Sequence, residues 1–171
     1  MKQKTIIEQA VKGDPEAFCE LYGLYKDRLF RYAFYRLEDT ASAEDAVSEC
    51  VLAAWKGIGS LRNPKAFSAW IFRILNAVCA KQIRVRITER NNMQELFKET
   101  HRIVPDSSRA LELSDALGKL TDEEREIVLL SIVAGLKSRE IASMFGMTAG
   151  SVRSKLSRSL SKMKQYLEME S

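Results

Sequence analysis

The stretch SREIASMFGMTAGSVRSKLSRSL, residues 138 to 160, has the spacing of two short helices joined by a tight turn. Ile141 in the first helix and Val152 in the second are spaced to face a common core. Gly146 suits the left-handed backbone conformation that such a turn needs. Thr148 follows it at a position that can cap the second helix. The stretch therefore predicts a helix-turn-helix.

The second helix of this motif carries positive charge without compensating acids. Residues 148 to 164 contain five Lys or Arg and no Asp or Glu. With Val152 directed inward and about 100° per residue, small polar residues and arginines point outward. Arginine can read guanine edges in the major groove, and neighbouring cations can hold phosphates. We predict DNA binding, although a solvated basic face on a helical hairpin is an alternative. The candidate contacts are Ser151, Arg153, Ser154, Lys155 and Arg158.

Start and stop signals divide the rest of the chain into further helices. Asp14-Pro15 and Asn63-Pro64 each place a capping residue before a proline at the first helical position. Thr121 with Glu124 has the spacing of a capping box. Ser42, with an acid three residues later, predicts another helix start. No alternating strand pattern is present, so the fold class is predicted to be all-α.

The pattern of helical signals fails once, in a polar segment containing Pro105. We therefore predict two small helical domains, 1–87 and 109–171, joined by a flexible linker, 88–108. A short helix around Leu96 and Phe97 is predicted within the linker.

Composition excludes several classes of protein. With 46% hydrophobic and 29% charged residues, the chain of 171 residues can bury a core. The net charge of +4 is a weak indication of a polyanionic partner. No apolar run approaches the roughly 20 residues that cross a bilayer, and no signal peptide is evident, so a cytoplasmic protein is predicted. Three scattered cysteines and one histidine predict reduced thiols, no metal and no cofactor. Without a phosphate loop or acid–base constellation, an enzyme is not expected.

The helix after Pro64 is predicted to combine a core face with a basic outer face. Between Arg62 and Arg90 there are seven Lys or Arg and one acid, which suits a DNA backbone. Trp70 lies on the apolar stripe and is interpreted as core in preference to a DNA contact. Helical geometry places Phe72 on the outer face, where it either stacks on an unpaired base or covers a partner surface. A simple packing role is the alternative. The candidates on this outer face are Lys65, Phe72, Arg73 and Asn76.

Four blocks of the sequence, in order, carry a family resemblance. They are GDPEAFCELYGLYKDRLFRYA (13 to 33), AEDAVSECVLAAWKGI (43 to 58), NPKAFSAWIFRILNAVCAKQIR (63 to 84) and LTDEEREIVLLSIVAGLKSREIASMFGMTAGSVRSKLSRSLSKMKQYL (120 to 167). Over nearly its whole length the chain resembles the extracytoplasmic-function sigma factors of bacterial RNA polymerase, group IV of the sigma-70 family. The resemblance implies sigma region 2 in the first half and region 4 in the second.

The resemblance also implies roles for these surfaces. The first half would read and melt the minus-10 promoter element through Arg62, Asn63, Lys65, Phe72, Arg73 and Asn76. The loop ending at Asn63 corresponds to one that captures a flipped base, while capping of the next helix is the alternative for this residue. The C-terminal helix-turn-helix would read the minus-35 element.

The implied protein partners are core RNA polymerase and a regulatory anti-sigma factor. Asp45, Ser48 and Glu49 would contact the clamp helices of the largest polymerase subunit, with solvated surface acids as the alternative. Region 4 would contact the flap of the second-largest subunit. A DNA-binding regulator that never joins polymerase is the competing class, and binding to core polymerase without DNA discriminates between them.

Overall fold

Helices make up every regular element in the residues that the structure, a computed structural model, describes: 2–92 and 108–170. This confirms the all-α prediction. The chain divides into two units, Met1–His101 and Arg102–Ser171. Most of the predicted linker, including the short helix expected around Leu96 and Phe97, lies outside the described residues. None of the described helices is long and apolar enough to cross a membrane.

Within its described residues, 2–92, the first unit contains four α-helices and two short 3-10 turns. They are α1 (Lys2–Val11), α2 (Pro15–Leu37), α3 (Thr40–Gly57), the turns Ile58–Ser60 and Pro64–Ala66, and α4 (Phe67–Asn92). The Asp14 carboxylate caps α2 by accepting hydrogen bonds from the backbone N–H groups of Glu16 and Ala17. Helix α4 extends to Asn92, beyond its predicted end near Arg86, so the start predicted for the linker is helical.

Helix α3 begins earlier than predicted. Its cap is Asp39 and not Ser42, because the Asp39 carboxylate accepts hydrogen bonds from the Ser42 backbone N–H at 2.8 Å and hydroxyl at 2.5 Å. Arg86 of α4 donates to the Leu37 carbonyl and to the Ser42 hydroxyl, each at 2.8 Å. Burial raises the pKa of Asp39, but the Ser42 hydrogen bonds and the Arg86 charge outweigh it and hold the pKa below its ordinary value. Arg86 thus fixes the α2–α3 corner.

Helix α4 packs against both α2 and α3, and aromatic rings fill the space between α4 and α2. Phe67 meets Tyr25 edge to face with ring centroids 5.0 Å apart, and Phe72 meets Tyr32 in the same way at 5.8 Å. Because α4 has two helical neighbours, it buries a wider sector than one apolar stripe, and this sector includes Phe72 and Leu75.

In the second unit, the described residues 108–170 also form four α-helices. They are α5 (Ser108–Leu117), α6 (Asp122–Ile132), α7 (Ser138–Phe145) and α8 (Ala149–Glu170). The predicted capping box is confirmed: Thr121 Oγ1 accepts from the Glu124 N–H, and the Glu124 carboxylate accepts from the Thr121 N–H. Gly146 adopts the left-handed conformation at φ 63°, and Thr148 Oγ1 accepts from the Ser151 N–H. The helix-turn-helix is therefore formed as predicted.

Candidate nucleic-acid interface

Helix α8 presents one buried face and one exposed face. Val152 and Ser159 are completely buried, and the Ser159 hydroxyl donates to the Lys155 carbonyl at 2.6 Å. This internal bond lets a serine sit in the core without an unsatisfied hydroxyl. The predicted contacts Ser151, Arg153, Ser154 and Arg158 are exposed, whereas Lys155 is only partly exposed. Between Ser151 and Arg158, the outer surface of α8 is consequently polar and basic.

Two lysines of α8 are held by the first turn of α6. Lys155 forms an ion pair with Glu123, and Lys162 Nζ lies 2.9 Å from the Glu124 carboxylate. Sequence reasoning missed both pairs because the partners are 32 and 38 residues apart, and no local spacing rule connects them. Lys155, expected to face phosphate, therefore has a carboxylate partner within the protein.

The loop before α4 holds three of the predicted minus-10 residues at the surface. Arg62, Asn63 and Lys65 are all exposed. The Asn63 side-chain carbonyl accepts a hydrogen bond from the Lys65 N–H at 3.1 Å and caps the turn Pro64–Ala66. The capping alternative for Asn63 is thus correct. Its exposure also leaves the side chain accessible to DNA.

Two other predicted minus-10 residues do not lie on the outer face of α4, so their predicted orientation is wrong. Phe72 is completely buried. Asn76 is half-buried, and its side-chain oxygen accepts hydrogen bonds from the Tyr32 hydroxyl at 2.9 Å and from Arg36 at 3.1 Å. The physical reason is the packing of α4 on α2, which turns this side of the helix inward. Of the three predicted contacts within α4, only Arg73 is exposed, as predicted.

Trp70 lies at the edge of the core. It is half-buried, and its ring is tilted against Phe67 with centroids 5.9 Å apart. A Cβ added at Gly57 would meet the Trp70 ring at 3.5 Å. Trp70 therefore packs against the end of α3, in agreement with its interpretation as a packing residue.

The predicted polymerase contacts form an exposed acidic face on α3. Asp45, Ser48 and Glu49 are exposed and lie within one turn of the helix. The Glu49 carboxylate is 3.2 Å from Lys81 Nζ of α4. This ion pair links the acidic face of α3 to the basic helix α4.

Two family models match the chain in the order of its two units. Sigma-70 region 2 matches residues 21–86, and Sigma-70, region 4 matches residues 110–163. The chain is 29% identical over 160 residues to the ECF RNA polymerase sigma factor BldN of Streptomyces coelicolor, covering 89% of this chain and 61% of BldN. It is 26% identical over 182 residues to the ECF RNA polymerase sigma factor SigW of Bacillus subtilis, covering 98% and 97%. The chain belongs to the sigma-70 family, in the extracytoplasmic-function group.

Solved structures share the fold of this sigma factor. CnrH, in complex with the cytosolic domain of CnrY, superposes with a TM-score of 0.76 at 23% identity and covers 99% of each chain. RpoE of Bartonella quintana, in complex with the anti-sigma factor NepR, superposes with a TM-score of 0.77 at 24% identity, covering 90% of this chain and 98% of RpoE. At these identities, the likeness concerns the helical architecture.

Membership of the sigma-factor family bears directly on enzymatic activity. Sigma factors are not enzymes, which confirms the expectation from the sequence. Among the described residues, no group of three or more His, Cys, Asp or Glu is arranged to hold a metal ion.

Burial, together with neighbouring Cys79, raises the pKa of the Cys50 thiol to about 12, so this thiol stays protonated. Cys19 is exposed, whereas Cys50 and Cys79 are buried.

Proposed function

We propose that this sigma factor binds core RNA polymerase and directs it to promoters by contacting the minus-35 and minus-10 elements. One observation carries the proposal: between Ser151 and Lys164 the exposed face of α8 is basic and carries no Asp or Glu, in a chain that also carries sigma region 2. A groove-binding helix alone would fit many regulators. Its combination with region 2 favours a polymerase subunit. The chain spans 61% of BldN but 97% of SigW, so SigW offers the fuller comparison.

For the minus-35 element, the proposed reader is α8. Ser151, Ser154 and Arg158 form its outward face, opposite buried Val152. Arg158 reads a base edge, and small serines allow the helix to approach the groove closely. Arg153 and Lys155 flank this face and contact phosphates.

For the minus-10 element, the proposed contacts lie on the loop before α4 and on the surface of α4. Arg62, Asn63 and Lys65 are exposed together on the loop, and Arg73 adds a cation to the surface of α4. Asn63 receives a flipped base, and the cations hold the backbone. Phe72 and Asn76 are not proposed as contacts, since their side chains already pack within the first unit.

For core polymerase, the proposed contacts are Asp45, Ser48 and Glu49 on α3, facing the clamp helices of the largest subunit. The second unit contacts the flap of the second-largest subunit. The acidic charges on α3 and the exposed Leu52 one turn further give this surface both polar and apolar character.

Control by an anti-sigma factor is also proposed, with action in the cytoplasm. RpoE of Bartonella quintana, which shares this fold, was solved with the anti-sigma factor NepR. A protein that exposes polymerase-binding surfaces before polymerase binds needs those surfaces covered, and an anti-sigma factor covers them.

The test is run-off transcription by core polymerase on a library of genomic promoters, with and without the purified chain. Promoter-specific transcripts that require the chain are expected. Binding to core polymerase without DNA, followed by gel filtration, separates a sigma factor from an ordinary regulator. A chain that binds promoter fragments but never co-elutes with core polymerase contradicts the proposal.

The reading role of Arg158 gives a residue-specific test. Arg158→Ala is expected to relax base preference at one position of the minus-35 element, at a cost of about 1–3 kcal/mol for the preferred base. Arg153→Ala, matched in size and charge, is expected to weaken binding to all sequences alike. It should also lower the slope of log K against log salt concentration by about one. Binding to a randomised minus-35 library measures both. Equal losses across all sequences for both variants contradict the assignment.

A further inference from the structure

The two flanks of α8 differ in their electrostatic surroundings. At about 100° per residue, Lys155 and Lys162 lie on one flank and Arg153 and Lys164 on the other. The first pair is neutralised by Glu123 and Glu124 of α6. In the part of the chain that the structure describes, Arg153 and Lys164 are exposed and have no ion-pair partner.

The contacts of the neutralised flank resemble those that DNA would make. A glutamate carboxylate and a phosphate both offer anionic oxygens to a lysine ammonium group. The Glu123 and Glu124 side chains thus lie where a phosphate would lie if DNA approached this flank. A DNA phosphate that binds Lys155 therefore competes with Glu123 for the lysine ammonium group.

We infer that Glu123 and Glu124 substitute for DNA phosphates within the protein and lower its affinity for DNA of any sequence. The inference rests on the proposed function, because it takes α8 as the DNA-binding helix. Phosphate contacts carry no sequence information. Glu123 and Glu124 therefore act as specificity-determining residues, since occupying the lysines weakens non-specific binding and leaves a larger share of the affinity to base contacts.

The test uses the full chain and a short duplex of random sequence, with binding followed by fluorescence anisotropy over a range of salt concentrations. At low salt, Glu123→Gln is expected to bind about 2- to 5-fold more tightly than the wild type, the range for an exposed ion pair. The gain shrinks as salt screens the charges. Glu112→Gln is the matched control, because it removes the same charge from an exposed position on α5.

The decisive comparison is a double-mutant cycle with Lys155→Ala. If Glu123 acts by occupying Lys155, the gain from Glu123→Gln disappears in the Lys155→Ala background. An equal gain from Glu112→Gln, or a gain that survives Lys155→Ala, overturns the inference in favour of a general charge effect. Weaker binding by Glu123→Gln overturns it in favour of a supporting role for α8.

If the proposed function is wrong, the same binding experiments give a different result. In that case the wild type itself does not bind duplex DNA at low salt, or Arg153→Ala and Arg158→Ala leave its binding unchanged. Either result removes α8 as the DNA-binding helix and overturns this inference with it. Thermal unfolding of each variant verifies that the second unit is folded.

Discussion

At Asn63, helix capping and base capture make different demands on one side chain. The side-chain oxygen of Asn63 caps Pro64–Ala66, and serine at an N-cap is about as effective as asparagine. We expect Asn63→Ser to keep the cap but to lose the amide that binds an extruded base. Transcription from duplex promoters is therefore expected to fall, while promoters melted in advance by mismatches retain most of their activity.

Asn63→Ala separates the two roles further. It loses the cap as well, at about 1 kcal/mol of stability for the first unit, and its transcription defect on duplex promoters is expected to match that of Asn63→Ser. Equal activity of Asn63→Ser and the wild type on both templates would leave Asn63 with its capping role alone.

Phe72 contributes stability and not base stacking. Its ring is completely buried against Tyr32, so Phe72→Ala is expected to cost about 3–5 kcal/mol of unfolding free energy. Both tryptophans, Trp55 and Trp70, lie in the first unit, so denaturant unfolding followed by tryptophan fluorescence measures this unit. Exposed Arg73→Ala is the control and is expected to change stability little. An unchanged unfolding midpoint for Phe72→Ala contradicts the packing role.

At the scale of single helices, the ends with strong local chemistry were predictable from the sequence. Asp14 before Pro15, the Thr121–Glu124 box and Gly146 each act over three or four residues and appear where expected. The start of α3 was not predictable, because Asp39 and Ser42 both suit an N-cap. Which of them caps the helix depends on Arg86, which is distant in the sequence.

The faces of helices were less predictable than their ends. The core face of α8 follows from Val152 because one side of this helix is buried. The core face of α4 does not follow from its apolar stripe, since α2 and α3 both pack on it and bury Phe72 and Asn76 together. The ion pairs between α6 and α8 could be identified only from the folded unit, because their partners are 32 and 38 residues apart in the sequence.

The cap of α6 gives a prediction about pH. The Thr121 N–H and Lys162 lower the pKa of Glu124 from 4.5 to about 2. A carboxyl with a depressed pKa stabilises the fold above its ordinary pKa, and this stabilisation is lost as pH falls from about 4.5 towards 2. Glu124→Gln retains the capping-box geometry but not the charge. We therefore expect it to be less stable than the wild type at pH 7, with a difference that narrows towards pH 2.

Unfolding followed by circular dichroism at several pH values measures this difference. Tryptophan fluorescence supplies an internal control, because the first unit is expected to unfold alike in both proteins. A difference in stability that stays constant from pH 7 to pH 2 would show that the charge of Glu124 is not its source.

At the scale of the whole molecule, Glu49 has two roles to separate: a proposed contact with core polymerase and the ion pair with Lys81 within the chain. Glu49 pairs with Lys81 across α3 and α4, so reversing its charge alone also creates repulsion within the unit. Asp45→Lys with Glu49→Lys is expected to weaken association with core polymerase about tenfold or more, through loss of charge complementarity. Titration of labelled protein with core polymerase in the absence of DNA measures this affinity.

A charge swap separates the two roles of Glu49. Glu49→Lys with Lys81→Glu restores an ion pair of reversed polarity and leaves the net charge unchanged. If polymerase requires an acid at position 49, the swapped protein still binds weakly. The matched control is the swap Lys4→Glu with Glu8→Lys on α1, where an exposed pair spans 3.9 Å, and its binding is expected to equal that of the wild type. Recovery of full affinity by the Glu49–Lys81 swap would mean that the pair positions α3 on α4 and that polymerase contacts other residues.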